Sequence, residues 1–212
     1  MKQISVKGLA DFMSASPSKQ RTIVRRYKYP KEDEARAMRI YYREAKEVVE
    51  AHHRRSQGPE WLLEEATRLT TLSDFLEGRS RTRLRHNVRG LRAYAAHFAA
   101  RQFEVLKGVS APLTFGDVRI SVVPDLHVRE GKNEKVIKLE FGVEPPSENE
   151  VKVISQLMFE AVHTADLPLP AAGVLYLDVE RGKEHRGARA GSRMKSDVEA
   201  ACKTISDIWD SI

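Results

Sequence analysis

The chain has 212 residues, 41% hydrophobic and 31% charged, which supports a packed core and argues against wholesale disorder. No apolar run reaches the ~18–20 residues of a membrane span, the start MKQISVKGLADFM lacks the apolar stretch of a secretory leader, and one cysteine, Cys202, excludes a disulfide framework and suits a reducing cytoplasm. Net charge is +6, but residues 1–107 carry 23 Lys/Arg against 13 Asp/Glu and residues 108–212 carry 13 against 17, so the first half suits a polyanionic partner.

The first half reads as helices. In KGLADFMSAS, Leu9, Phe12 and Met13 recur at three and four residues, and Ser16-Pro17 opens a second helix, SPSKQRTIVRRYKY, that Pro30 stops. Ala35, Met38, Tyr42, Ala45 and Val49 give one face of a helix from about Glu32 to His53, ended by Gln57-Gly58-Pro59. Helices over about 60–69 and 81–106 follow, the latter with Leu84, Val88, Leu91, Ala95 and Phe98 in line, and no strand-like alternation precedes residue 110. The period then changes. VRISVV and KVIKLEFGV, separated by the turn-like EGKNE, read as a hairpin, followed by a helix over about 147–163, a strand GVLYLDVE, a Gly/Arg loop and a last helix. The expected fold class is α+β: a helical, basic region over 1–107 and a small mixed-sheet core over 108–212, with helix 81–106 packed on that core.

Asp125 is expected at the end of one strand, with Lys138 and Glu140 sharing a face of the next, because strand side chains alternate with period two. Two carboxylates on adjacent strands suit a hard divalent cation such as Mg²⁺, and a lysine beside them suits orientation of an attacking water. The same residues are also compatible with a plain turn and the polar face of a hairpin.

Pro124-Asp125, the strand VIKLEFG, the helical segment Gln156-Leu157-Met158-Phe159-Glu160 and the strand GVLYLDV occur in an order that resembles the RecB-like branch of the PD-(D/E)xK nuclease superfamily, over about residues 81–180. The resemblance implies a restriction-endonuclease-like core and Mg²⁺-dependent phosphodiester hydrolysis of DNA. Asp125, Lys138, Glu140 and Gln156 would be catalytic, and Asp125, Glu140 and His86 would hold the metal. It also suggests a cytoplasmic defence role. The pattern departs from the family in one respect: acid-x-Lys is transposed to Lys138-Leu139-Glu140. A domain that kept the fold and lost catalysis is the other outcome this permits.

Three basic segments are candidates for nucleic-acid contact. Arg81, Arg85, Arg89 and Arg92 form a helical stripe opposite the Leu/Val face, in a stretch free of acids. Arg186, Arg189 and Arg193 lie in the Gly/Arg loop and its exit, and Arg21, Arg25, Arg26 and Lys28 flank Tyr27 and Tyr29. The alternative function is a non-enzymatic adaptor, with Tyr27, Tyr41, Tyr42 and Trp61 of the helical half docking a protein partner.

Overall fold

The computed structural model describes residues 1–31, 41–188 and 192–212. The fold is α+β. In chain order it contains β1 (Lys2–Ser5), α1 (Val6–Met13), α2 (Pro17–Lys28), α3 (Arg43–Arg54), α4 (Pro59–Asp74), α5 (Gly78–His97), β2 (Glu104–Val105), β3 (Leu113–Phe115), β4 (Val118–Ser121), β5 (Leu126–Glu130), β6 (Asn133–Glu140), α6 (Glu148–Thr164), β7 (Val174–Asp178), β8 (Lys183–Arg186) and α7 (Ser192–Ser211). Local chemistry sets several starts. The Ser5 hydroxyl accepts from Gly8 N–H to cap α1, Ser147 does the same for Glu150 at α6, and Pro17 opens α2.

The five-stranded sheet runs β2-β5-β6-β7-β8, and a smaller one runs β1-β4-β3. β2, β5 and β6 are successively antiparallel, β6 and β7 are parallel, and β8 returns antiparallel on β7. The parallel pair requires a crossover, which α6 supplies. Gly131, at φ 61°, turns β5 into β6 in two residues, between the paired Glu130 and Asn133.

The hairpin therefore differs from the expected one. VRIS belongs to the smaller sheet, and the partner of β6 is Leu126–Glu130, whose LHVRE buries only Leu126 and Val128 within a polar run. Strands β1 and β2 also lie before residue 110, and Lys183–Arg186 of the Gly/Arg loop forms β8. The expected helix over 81–106 starts earlier and ends at His97, where the chain turns to bury Phe98 and Phe103 while Arg101 pairs with Glu130 and Glu184. Of the expected helix 32–53, Arg43 onward is helical; residues 32–40 lie outside the described residues.

Two cores cover the two faces of the large sheet. One joins α3, α4 and α5 to Leu126, Val128, Ile137, Leu139, Leu175 and Leu177. The other joins α1, α2, α6, α7 and the small sheet to Val136, Val174 and Tyr176. The first 28 residues thus pack with the C-terminal half rather than with α3, α4 and α5. β1 pairs with β4, and Lys28 Nζ donates to the Trp209 and Ile212 carbonyls at 2.6 and 2.5 Å.

Gly90 brings α5 onto the sheet. A Cβ there would stand 2.5 Å from a ring carbon of Phe141, itself 1% exposed. Alanine gains roughly 1 kcal/mol of helix propensity over glycine, but overpacking a closed core costs about 1–3 kcal/mol. Gly90→Ala is expected to lower stability by up to about 2 kcal/mol in urea unfolding; a raised midpoint would contradict this packing.

Candidate functional site

Asp125 stands one step beyond the last β5–β6 pair, Leu126–Ile137, and so lies across from Lys138. Its backbone N–H donates to the Ile137 carbonyl at 2.8 Å. Its carboxylate takes three partners: Lys138 Nζ at 3.0 Å and Leu139 N–H at 2.8 Å on Oδ2, and Lys46 Nζ at 2.7 Å on Oδ1. The Asp125 side chain is 8% exposed and that of Lys138 15%. Burial would push the Asp125 carboxyl up, but the Lys138 and Lys46 ammonium groups and the Leu139 amide outweigh it, and the carboxyl lies below its ordinary range. Lys138 is shifted down, first by burial and then by Lys46 against the opposing pull of Asp125.

Glu140, two residues along, sits about 6.6 Å further down the strand and belongs to a different cluster. Its Oε1 accepts from Gly142 N–H at 2.8 Å, and its Oε2 meets Lys7 Nζ at 3.2 Å and the Tyr176 hydroxyl at 3.3 Å. Lys7 also reaches Glu150 Oε1, at 2.5 Å, and Tyr176 donates to the same oxygen at 3.4 Å. Burial alone would lower Lys7, but Glu140 and Glu150 together raise it; Tyr176 is pushed up by burial and by the same two carboxylates. One ammonium therefore bridges two carboxylates from β6 and α6.

The other expected site residues are spread out. Gln156 Nε2 donates to Glu160 on its own helix at 2.9 Å, and His86 Nδ1 lies 2.7 Å from the Tyr41 hydroxyl. Arg81 turns back onto the end of α4, donating to the Leu76 carbonyl at 2.6 Å and to those of Ser73 and Asp74 at 3.3 Å. Arg89 pairs with Glu180 at 2.7 Å. Arg85 and Arg92 are exposed, Arg85 lying 3.9 Å from Asp74. Arg186 pairs with Glu184 at 2.7 Å, Arg193 is exposed, and Arg189 lies outside the described residues. Of the aromatics expected to dock a partner, Tyr42 stacks on Phe141, Trp61 packs against the core and Tyr27 meets Ser5.

Mg²⁺ needs several free oxygen ligands. Both oxygens of Asp125 carry ammonium partners, both oxygens of Glu140 are engaged, and among the described residues no three His, Cys, Asp or Glu side chains form a metal-holding group. As arranged, this donor set does not fit the ion. The cavity lined by Asp125, His127 and Glu50 measures about 60 Å³, far below the roughly 300–1,000 Å³ of small-molecule sites. A cleft of about 470 Å³ opens elsewhere, between the β3–β4 turn and α7, lined by Asp117, Glu199, Cys202 and Asp207. Burial pushes the Cys202 thiol up to about 11, so it is no ready nucleophile.

Lys46, Lys7, Tyr176 and Glu150 complete both clusters, and none stood out in the sequence. In comparisons with known proteins, no family model matches the chain and no curated protein matches it. Among the described residues no helix is long and apolar enough to cross a membrane.

Proposed function

We propose that the protein is a metal-independent nucleic-acid-binding module on a restriction-endonuclease-like sheet, in which the centre that would hold a metal has become a set of ion pairs. The observation that carries this reading is the carboxylate of Asp125 held between Lys46 and Lys138. Strand order supports the fold comparison: the strand entered at Asp125, an antiparallel partner bearing Lys138 and Glu140, the crossover α6 and the parallel β7 follow in sequence. The transposed Lys-x-Glu supplies the physical reason. It puts an ammonium across from Asp125, where acid-x-Lys would put a second carboxylate, and a tethered cation replaces a free one. Exposed arginines on a basic N-terminal half support an anionic partner.

The purified protein is expected to bind linear duplex DNA equally with Mg²⁺ or with EDTA, and to leave it intact with Mg²⁺ or Mn²⁺. Metal-dependent degradation that disappears in Asp125→Ala and Glu140→Ala would overturn the proposal. Failure both to bind and to cleave would favour the adaptor, for which the exposed Leu72 and Phe75 at the α4–α5 corner, 44% and 82% accessible, offer a protein contact.

A further inference from the structure

The cations of α5 are largely spent inside the molecule, whereas those of α2 are not. Ile23 and Val24, 5% and 0% exposed, fix the buried side of α2. At 100° per residue, the opposite side presents Ser18, Arg21, Thr22 and Arg25, with Lys19 and Arg26 flanking it on the side of Ile23, all six exposed. Those six are four cations and two hydroxyls without an acid. Among the described residues none of the four cations forms an ion pair; Asp11 of α1 feels the charge of Arg26 without pairing. Arg21 and Arg25, at i and i+4, repel one another weakly, and an anion laid across the face would relieve that repulsion.

We infer that this face of α2 is where the protein lies against the phosphate backbone of duplex DNA. The inference rests on the DNA-binding reading above and locates the contact. Lys19 to Arg26 span about 10 Å of helix axis, a length over which duplex DNA presents about three phosphates per strand, counted along its own axis. Arginine forks suit phosphate oxygens, and serine and threonine hydroxyls add neutral donors to the same groups. An anionic lipid surface fits less well, because a helix that lies in a membrane interface needs a free apolar side, and that of α2 is committed to the core through Ile23 and Val24.

The test is the binding of a labelled random-sequence duplex across a salt series. The variants are Arg21→Ala/Arg25→Ala/Arg26→Ala and, as a control on α5, Arg85→Ala/Arg92→Ala. Each lost phosphate contact removes about 0.9 from the slope of log K against log salt. The α2 variant should therefore flatten that slope by about 3 and bind on the order of 100-fold more weakly at ~0.1 M salt, with an unchanged melting curve because the substituted side chains are exposed. If the wild type binds and the α2 variant binds equally well, the inference is wrong. Loss confined to the α5 variant would move the contact there and overturn it, as would a loss seen on phosphatidylglycerol vesicles but not on DNA. A wild type that binds no DNA refutes the proposed function itself, an outcome separate from these.

Discussion

Asp125→Ala is expected to cost about 3–5 kcal/mol of folding stability, because it leaves the largely buried Lys138 ammonium, with the one-third exposed Lys46 beside it, without their shared carboxylate. For a chain of this length that corresponds to roughly 10–15 °C in melting temperature. The partners that make the effect large are Lys138, 15% exposed, and Lys46, which approaches from α3. The sign is diagnostic. Carboxylates gathered to bind a metal repel one another in its absence, and removing one stabilises the metal-free protein. A carboxylate that serves as counter-ion to two lysines does the opposite. Asp125→Ala/Lys138→Met should recover a large part of the loss, since a buried pair replaced by apolar groups is often neutral or better. A metal-free Asp125→Ala protein that melts higher than wild type would sink the ion-pair account and restore a carboxylate site.

Much of this pair was legible in the sequence, although by an incorrect route. The alternation in KVIKLEF places Lys138 and Glu140 on one face, and the structure keeps them there. Asp125 meets Lys138 as well, but at the start of β5 rather than at the end of VRISVV, because the two-residue turn at Gly131 sets the register from the far end of the hairpin. β5 carries little strand signal because its apolar residues, Leu126 and Val128, alternate with histidine and arginine in a polar run. β1, only four residues long, gains its definition from pairing with β4, more than a hundred positions away. The same limit applied to the site. Lys46 and Lys7 reach their carboxylates from helices 79 and 133 positions away, and no local period encodes such a contact. Helical spacing correctly aligned the arginines of α5, yet spacing says nothing about what lies opposite. The carbonyls at the end of α4 take Arg81 and Glu180 takes Arg89, whereas Lys19, Arg21, Arg25 and Arg26 of α2, less prominent as a motif, pair with no acid among the described residues.

Acid should weaken the fold before the carboxylates begin to titrate, and His53 is the reason. Its ring is 6% exposed, lies edge-on to His52 at 4.6 Å and near Phe103 at 4.9 Å, and has its Nε2 2.7 Å from the Tyr94 hydroxyl. Burial, then His52, then the positive charge of Arg101 push its pKa down from 6.5 to about 4. The unfolded chain therefore binds a proton at His53 over a range where the folded protein does not, and stability falls as pH drops through that range. That difference amounts to about 3 kcal/mol in full, with roughly 1.6 kcal/mol of it lost between pH 6.5 and 5. Glu130 adds its own loss lower down: its pairing with Arg101 is the largest influence holding the carboxyl at about 2, so that contribution disappears only below its ordinary value of 4.5. The upper window thus lies above the range in which Glu130 contributes. Urea unfolding of the wild type between pH 5 and 6.5 should show stability rising with pH by up to about 1.4 kcal/mol per unit, and His53→Gln, which keeps a hydrogen-bonding partner for Tyr94 but cannot take up the proton, should flatten that slope. Equal slopes in the two proteins would mean that His53 is protonated as readily in the folded core as in the unfolded chain, and its burial against Tyr94 would then not govern the acid sensitivity.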